Sequence, residues 1–112
     1  INEETISQGE YSVAYFKAVR PDIVLVGTPT SGTLGNLTNI VLPGGIVVNF
    51  TGLGIATPVS GPNVPRIVQR QGITPDVVVT ETIEGVAAGR DEVLEAAIAR
   101  LANSNSTVVQ LK

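Results

Sequence analysis

The apolar residues of this chain fall into short blocks whose spacing changes along the sequence, and each change predicts a change of element. Tyr11, Ala14, Tyr15 and Ala18 recur at i, i+3, i+4 and i+7 and predict a helix over about 8–19. Arg20-Pro21 should stop it, because proline disfavours helix at the residue before it. Ile23-Val24-Leu25-Val26 is continuous and aliphatic, as expected of a central strand covered on both faces in an α/β layer. Asn39–Leu42 and Ile46–Thr51 flank Pro43-Gly44-Gly45 and predict a β-hairpin, with Ile46, Val48 and Phe50 alternating toward a core. A short strand over about 54–57 is expected next. Pro58 to Gln71 has no period of 2 or 3.6 and is expected to be a long surface loop.

After Pro75, which fits only the start of a strand, Val77-Val78-Val79-Thr80 predicts a buried one. Asp91 is placed to cap a last helix over about 92–102, with Glu92 and Glu95 in its first turn and Arg100 in its last. Its stripe of Leu94, Ala97, Ile98 and Leu101 predicts burial, so the expected core is Ile23, Leu25, Val48, Val77, Val79, Leu94, Ile98 and Leu101. Residues 103–112 are expected to form a flexible tail with a short strand over about 108–111. The fold class is α/β, with a hairpin and two amphipathic helices.

Composition narrows the function. The 112 residues suffice for one core, burying about two thirds of the unfolded chain's surface, and not for two. Charged residues make up 15%, fewer than in an average soluble domain, so much of the surface is expected to face another segment or chain. A net charge of −3 with scattered Lys and Arg offers no basic patch, which argues against nucleic acid as a partner. With no cysteine and no histidine, the chain supplies no thiol, no Cys or His metal site and no histidine base. The apolar runs fall far short of the roughly 20 residues that cross a bilayer. Asn36, Asn49 and Asn105 each match the weak Asn-x-Ser/Thr glycosylation pattern.

Two stretches carry candidate chemistry. In Gly27-Thr28-Pro29-Thr30-Ser31-Gly32, two glycines have the separation of a phosphate-binding loop, but Thr33 stands where the required lysine would be, and the nucleotide reading is rejected. In Thr5-Ile6-Ser7-Gln8-Gly9-Glu10 a small hydroxyl residue stands at a helix start beside a glycine. Thr5 with Gln8, and Ser7 with Glu10, also fit a capping box, and on these letters alone capping is the commoner role.

Those two stretches, followed in order and spacing by Leu42-Pro43-Gly44-Gly45, Gly72-Ile73-Thr74-Pro75-Asp76 and Gly89-Arg90-Asp91, resemble the carboxyl-terminal processing (tail-specific) and tricorn-type serine peptidases. The resemblance runs from about residue 2 to 102, over only the last part of that family's catalytic domain. It implies the α/β superhelical fold of crotonase-like and Clp-type proteins, an acyl-enzyme reaction on peptide or protein substrates, no cofactor, and a setting in the cell envelope or outside the cell. By the same resemblance Ser7 falls on the nucleophile and Glu10 on the acidic position after it. The Gln8 amide is then the nearest oxyanion donor, since a helix start favours developing negative charge by about 3 kcal/mol per donor.

The chain departs from the processing peptidases at the base. There a lysine follows threonine-x-glycine; here Thr30-Ser31-Gly32 is followed by Thr33, whose hydroxyl is no base near neutral pH. Two readings stay open: a tricorn-like arrangement with a histidine on an upstream segment, or a non-catalytic peptide- or lipid-binding module on the same fold. On the first, the chain alone is expected to be inert. Arg66 and Arg70 could meet a peptide carboxylate, although solvated surface charge is their commoner role.

Overall fold

A computed structural model describes residues 1–58 and 60–108. It has mixed α/β architecture, in the order α1 (Gln8–Val19), β1 (Val26–Gly27), β2 (Gly35–Leu42), β3 (Ile46–Gly54), β4 (Val77–Val78), α2 (Ile83–Ala87) and α3 (Glu92–Val108). The strands form two separate two-stranded sheets, β1 parallel to β4 and β2 antiparallel to β3.

The first helix forms where its period predicts, and the Arg20 N–H closes its last turn on the Phe16 carbonyl before Pro21 ends it. Its inward face is centred on Glu10 and Ala14, both fully buried. The aliphatic run pairs slightly later than expected. The Leu25 carbonyl accepts from the Asp76 and Val77 N–H groups, and Val26 and Gly27 then pair with Val77 and Val78. On the other side of β1, the Ile1 nitrogen donates to the Val26 carbonyl and the Ile1 carbonyl accepts from Thr28, so β1 has neighbours on both edges.

The hairpin is longer than its sequence signal. Gly44 and Gly45 take φ of 88° and 78° in the turn, a conformation open to glycine at little steric cost, and the ladder runs from Leu42↔Ile46 back to Gly35↔Gly54. Gly52 is an extra residue opposite the step from Asn36 to Leu37, a β-bulge. Neither hairpin face is covered: every residue from Ile46 to Gly54 is exposed, so Val48 is not core. The strand expected over 54–57 does not form, since the ladder ends at Gly54 and the Thr57 N–H turns to the Arg66 carbonyl.

The core keeps only Leu25 of the expected set, and Val77 and Val79 are half-buried. The core consists of Ala14, Leu25, Leu34, Val64, Val68 and Ile73, with Ile23 packed against it. Val64 and Val68 come from the stretch expected to be a surface loop, which instead folds back, with the Thr57 hydroxyl donating to the Pro65 carbonyl and Gly72 N–H to the Val68 carbonyl. The last helix starts as expected, the Asp91 carboxylate accepting from the Leu94 N–H at 2.8 Å, and lies against β1. Its half-buried residues include Val93, Ala96 and Ala97, whereas Leu94, Ile98 and Leu101 are exposed, Ile98 at 56%. A third helix, α2, was not expected; the Thr82 hydroxyl caps it by accepting from Gly85 N–H. Of the tail, α3 continues through Val108, and the strand expected beyond it lies outside the described residues.

Candidate functional site

Ser7 is the residue immediately before α1, half-buried, and it is not a cap. Its φ of 47° and ψ of −111° lie outside the regions an L-residue ordinarily occupies, and its side chain makes no capping hydrogen bond. Neither capping box forms. Thr5 instead accepts from the Asn2 N–H and donates to the Asn2 side chain, and Glu10 turns inward. Among the described residues no acceptor takes the Gln8 N–H, since the first helical bonds run from Gly9 to Ile6 and from Tyr11 to Ser7. A free hydroxyl and a free N–H thus stand side by side at the positive end of a helix.

The loop between β1 and β2 is held against this turn on both sides. Before Ser7, the Ser31 N–H donates to the Thr5 carbonyl at 3.2 Å. After it, Glu10 takes three donors: Thr30 hydroxyl at 2.5 Å and Gly32 N–H at 2.7 Å on Oε1, and Thr33 N–H at 2.9 Å on Oε2. Thr30 in turn exchanges hydrogen bonds with Ile73, donating its N–H to the Ile73 carbonyl and accepting the Ile73 N–H on its hydroxyl. Gly32 and Gly72 meet where these segments cross. A Cβ on Gly32, at φ 71°, would lie 2.8 Å from the Gly72 nitrogen, and one on Gly72 would lie 2.5 Å from the Thr30 carbonyl oxygen. The serine stretch, the Gly27–Gly32 loop and the Gly72–Asp76 stretch therefore converge on one place.

A second hydrogen-bonded node is centred on Asp76. Asp76 accepts from the Leu25 N–H at 2.7 Å, from Lys17 Nζ at 3.0 Å and from the Asn63 amide at 2.9 Å, tying α1, β1 and β4 together. Burial pushes its carboxyl up, but the Leu25 N–H and the Lys17 ammonium outweigh this together and hold it below the usual aspartate value. The sequence motif contains Asp76 without revealing its role, and it presents Glu10 as a cap partner. Thr30 and Asn63 carry no signal of their own, because only their distant partners reveal them.

Among the described residues no side chain is hydrogen-bonded to the Ser7 hydroxyl, and the candidate bases around it are otherwise placed. Thr33 is exposed, Lys17 is committed to Asp76 and the Ile23 carbonyl, and both Glu10 oxygens are engaged. Arg66 and Arg70 are exposed; Arg70 uses its backbone N–H to hold the Gly32 carbonyl at 2.7 Å. A cleft of about 290 Å³ along α1 is lined by Gln8, Tyr11, Ser12, Tyr15 and Phe16. A larger one of about 780 Å³ is lined by Thr5, Thr28 and residues of α2, and Ser7 lines neither cleft. No protein family, curated protein or solved structure matches the chain. Among the described residues, no helix is long and apolar enough to cross a membrane.

Proposed function

We propose that this chain is the C-terminal portion of a serine endopeptidase catalytic unit of the carboxyl-terminal processing or tricorn type, with the crotonase/Clp-like superhelical fold. It hydrolyses peptide bonds through an acyl-enzyme, with Ser7 as nucleophile and the Gln8 N–H as one oxyanion donor. The observation that carries the reading is the Ser7 backbone. A non-glycine residue in so unfavourable a conformation costs about 1–3 kcal/mol, and such strain gathers where a side chain must be presented at a set angle. A serine on a tight turn into a helix, its hydroxyl unbonded and the next N–H free, is how a nucleophile and half of an oxyanion hole are built. The sequence resemblance adds the reaction class, the peptide or protein substrate and a setting in the cell envelope or outside the cell. The base is assigned to a histidine on an upstream segment of the same catalytic domain, and no cofactor is invoked.

A second reading has one observation in its favour. Thr33 and the fully engaged Glu10 leave Ser7 without a base inside the described residues, which suits a non-catalytic peptide- or lipid-binding module. A serine-directed fluorophosphonate separates the two. If Ser7 is the nucleophile, residues 1–112 alone should not label, whereas a form carrying the upstream segment should label at Ser7 and lose the label in Ser7→Ala. Peptide binding without labelling in that form would favour the module.

A further inference from the structure

Glu10 is a fully buried carboxylate whose hydrogen-bonding partners are all neutral donors from one loop. Burying a charge this way is costly unless its lone pairs are well used. A cheaper arrangement is written in the same letters: in the box Ser7-Gln8-Gly9-Glu10, the serine hydroxyl would accept from the Glu10 N–H and the carboxylate from the Ser7 N–H, with ordinary backbone angles. The two arrangements exclude one another, because the carboxylate that reaches Gly32 and Thr33 cannot also close the box.

We infer that Glu10 is a positioning residue: by stapling Thr30, Gly32 and Thr33 to the first turn of α1, it keeps Ser7 in its strained conformation with its hydroxyl free. The inference rests on the reading of Ser7 as a nucleophile only for its functional meaning; its geometric content stands apart from it. The staple works together with the Ser31–Thr5 bond, so the loop grips the chain on both sides of Ser7, two residues before it and three after. Released from the loop, Glu10 and Ser7 would relax into the capping box. Ser7 would then be an ordinary N-cap, its oxygen spent on a backbone N–H and the lone pair of the attacking group turned away. Glu10 acts through Ser7 and does not itself accept the serine proton.

The test uses the full-length protein with Glu10→Gln, isosteric but with one acceptor oxygen in place of two, and with Glu10→Ala. Val64→Ala, which loosens the core away from the staple, controls for lost stability. Three quantities are read: Ser7 backbone shifts and HN–Hα coupling, amide exchange at Gly32 and Thr33, and the rate of fluorophosphonate labelling. In both Glu10 variants Ser7 is expected to leave its positive-φ conformation and the Gly32 and Thr33 amides to exchange about 100-fold faster, the effect of losing hydrogen bonds to a carboxylate. Labelling should fall by about 10²-fold, as for a misplaced reacting group. Val64→Ala should move none of these beyond its effect on global stability. If Glu10→Ala does not fold, Glu10→Gln decides. Unchanged Ser7 shifts and exchange in folded Glu10→Gln would overturn the inference. A wild-type protein that shows the strained Ser7, its release in Glu10→Gln, and no labelling at all would keep the staple and remove the peptidase reading.

Discussion

At the scale of single residues, two letters had two meanings each. Ser7 and Glu10 match a capping box as well as they match a nucleophile and its neighbour, and no local pattern separates these, because the deciding partners lie more than twenty residues away in the β1–β2 loop. The strain at Ser7 has a direct consequence for stability. Glycine tolerates φ of 47° where alanine does not, so Ser7→Gly should be more stable than Ser7→Ala by about 1 kcal/mol, the relieved strain less the entropy glycine loses on folding. Urea melts of the two variants check this. A Ser7→Gly variant clearly less stable than Ser7→Ala would show that the turn is not strained.

At the scale of elements, the hairpin turn and the Asp91 cap were legible, whereas the capping boxes before α1 and the burial of most positions were not. Pro43-Gly44-Gly45 named the hairpin and Asp91 named the start of α3, because both signals act within a few residues. The α3 stripe was legible as a face, but periodicity says which residues share a face and not what lies against it; here Val93, Ala96 and Ala97 are half-buried and Leu94, Ile98 and Leu101 are exposed. Val64 and Val68 were illegible for the opposite reason, since they reach the core from an aperiodic stretch. Ile98→Ala should accordingly cost the chain no more than about 0.5 kcal/mol, and Ile73→Ala, fully buried, about 2–5 kcal/mol. Denaturant midpoints of the pair test it, and equal losses would mean that the core is misplaced.

The Asp76 node sets a pH dependence at the same scale. Its carboxyl is more acidic in the folded chain than in the unfolded one, so the unfolded chain takes up the proton first as the pH falls. Its contribution is complete above the ordinary aspartate value of about 4 and is lost as the pH drops through the lower folded value. Chemical melts between neutral pH and about 3 should show wild type losing more stability than Asp76→Asn. Parallel curves for the two would show that the Leu25 and Lys17 contacts do not favour the charged form.

At the scale of the whole molecule, the chain is extended and its apolar surface is divided among separate elements. It measures 70 × 37 × 18 Å, with a radius of gyration of 18.2 Å where a compact chain of this length would have about 13 Å. No charged residue lies between Asp22 and Arg66, and the hairpin inside that stretch exposes Ile40, Leu42, Ile46, Val48 and Phe50 on one face and Leu37, Val41 and Val47 on the other. Apolar areas of this kind on soluble proteins mark surfaces that meet something else. If the chain is part of a peptidase, that partner is the remainder of the catalytic unit, which also brings the base. The central claim, that Ser7 attacks a carbonyl, is tested most directly by trapping the acyl-enzyme. The full-length protein would be incubated with an activated peptide ester, quenched in acid and digested. An acyl adduct is expected on the peptide containing Ser7 and should be absent from Ser7→Ala. Hydrolysis of the ester that persists undiminished in Ser7→Ala, with no adduct at Ser7 in wild type, would contradict the claim.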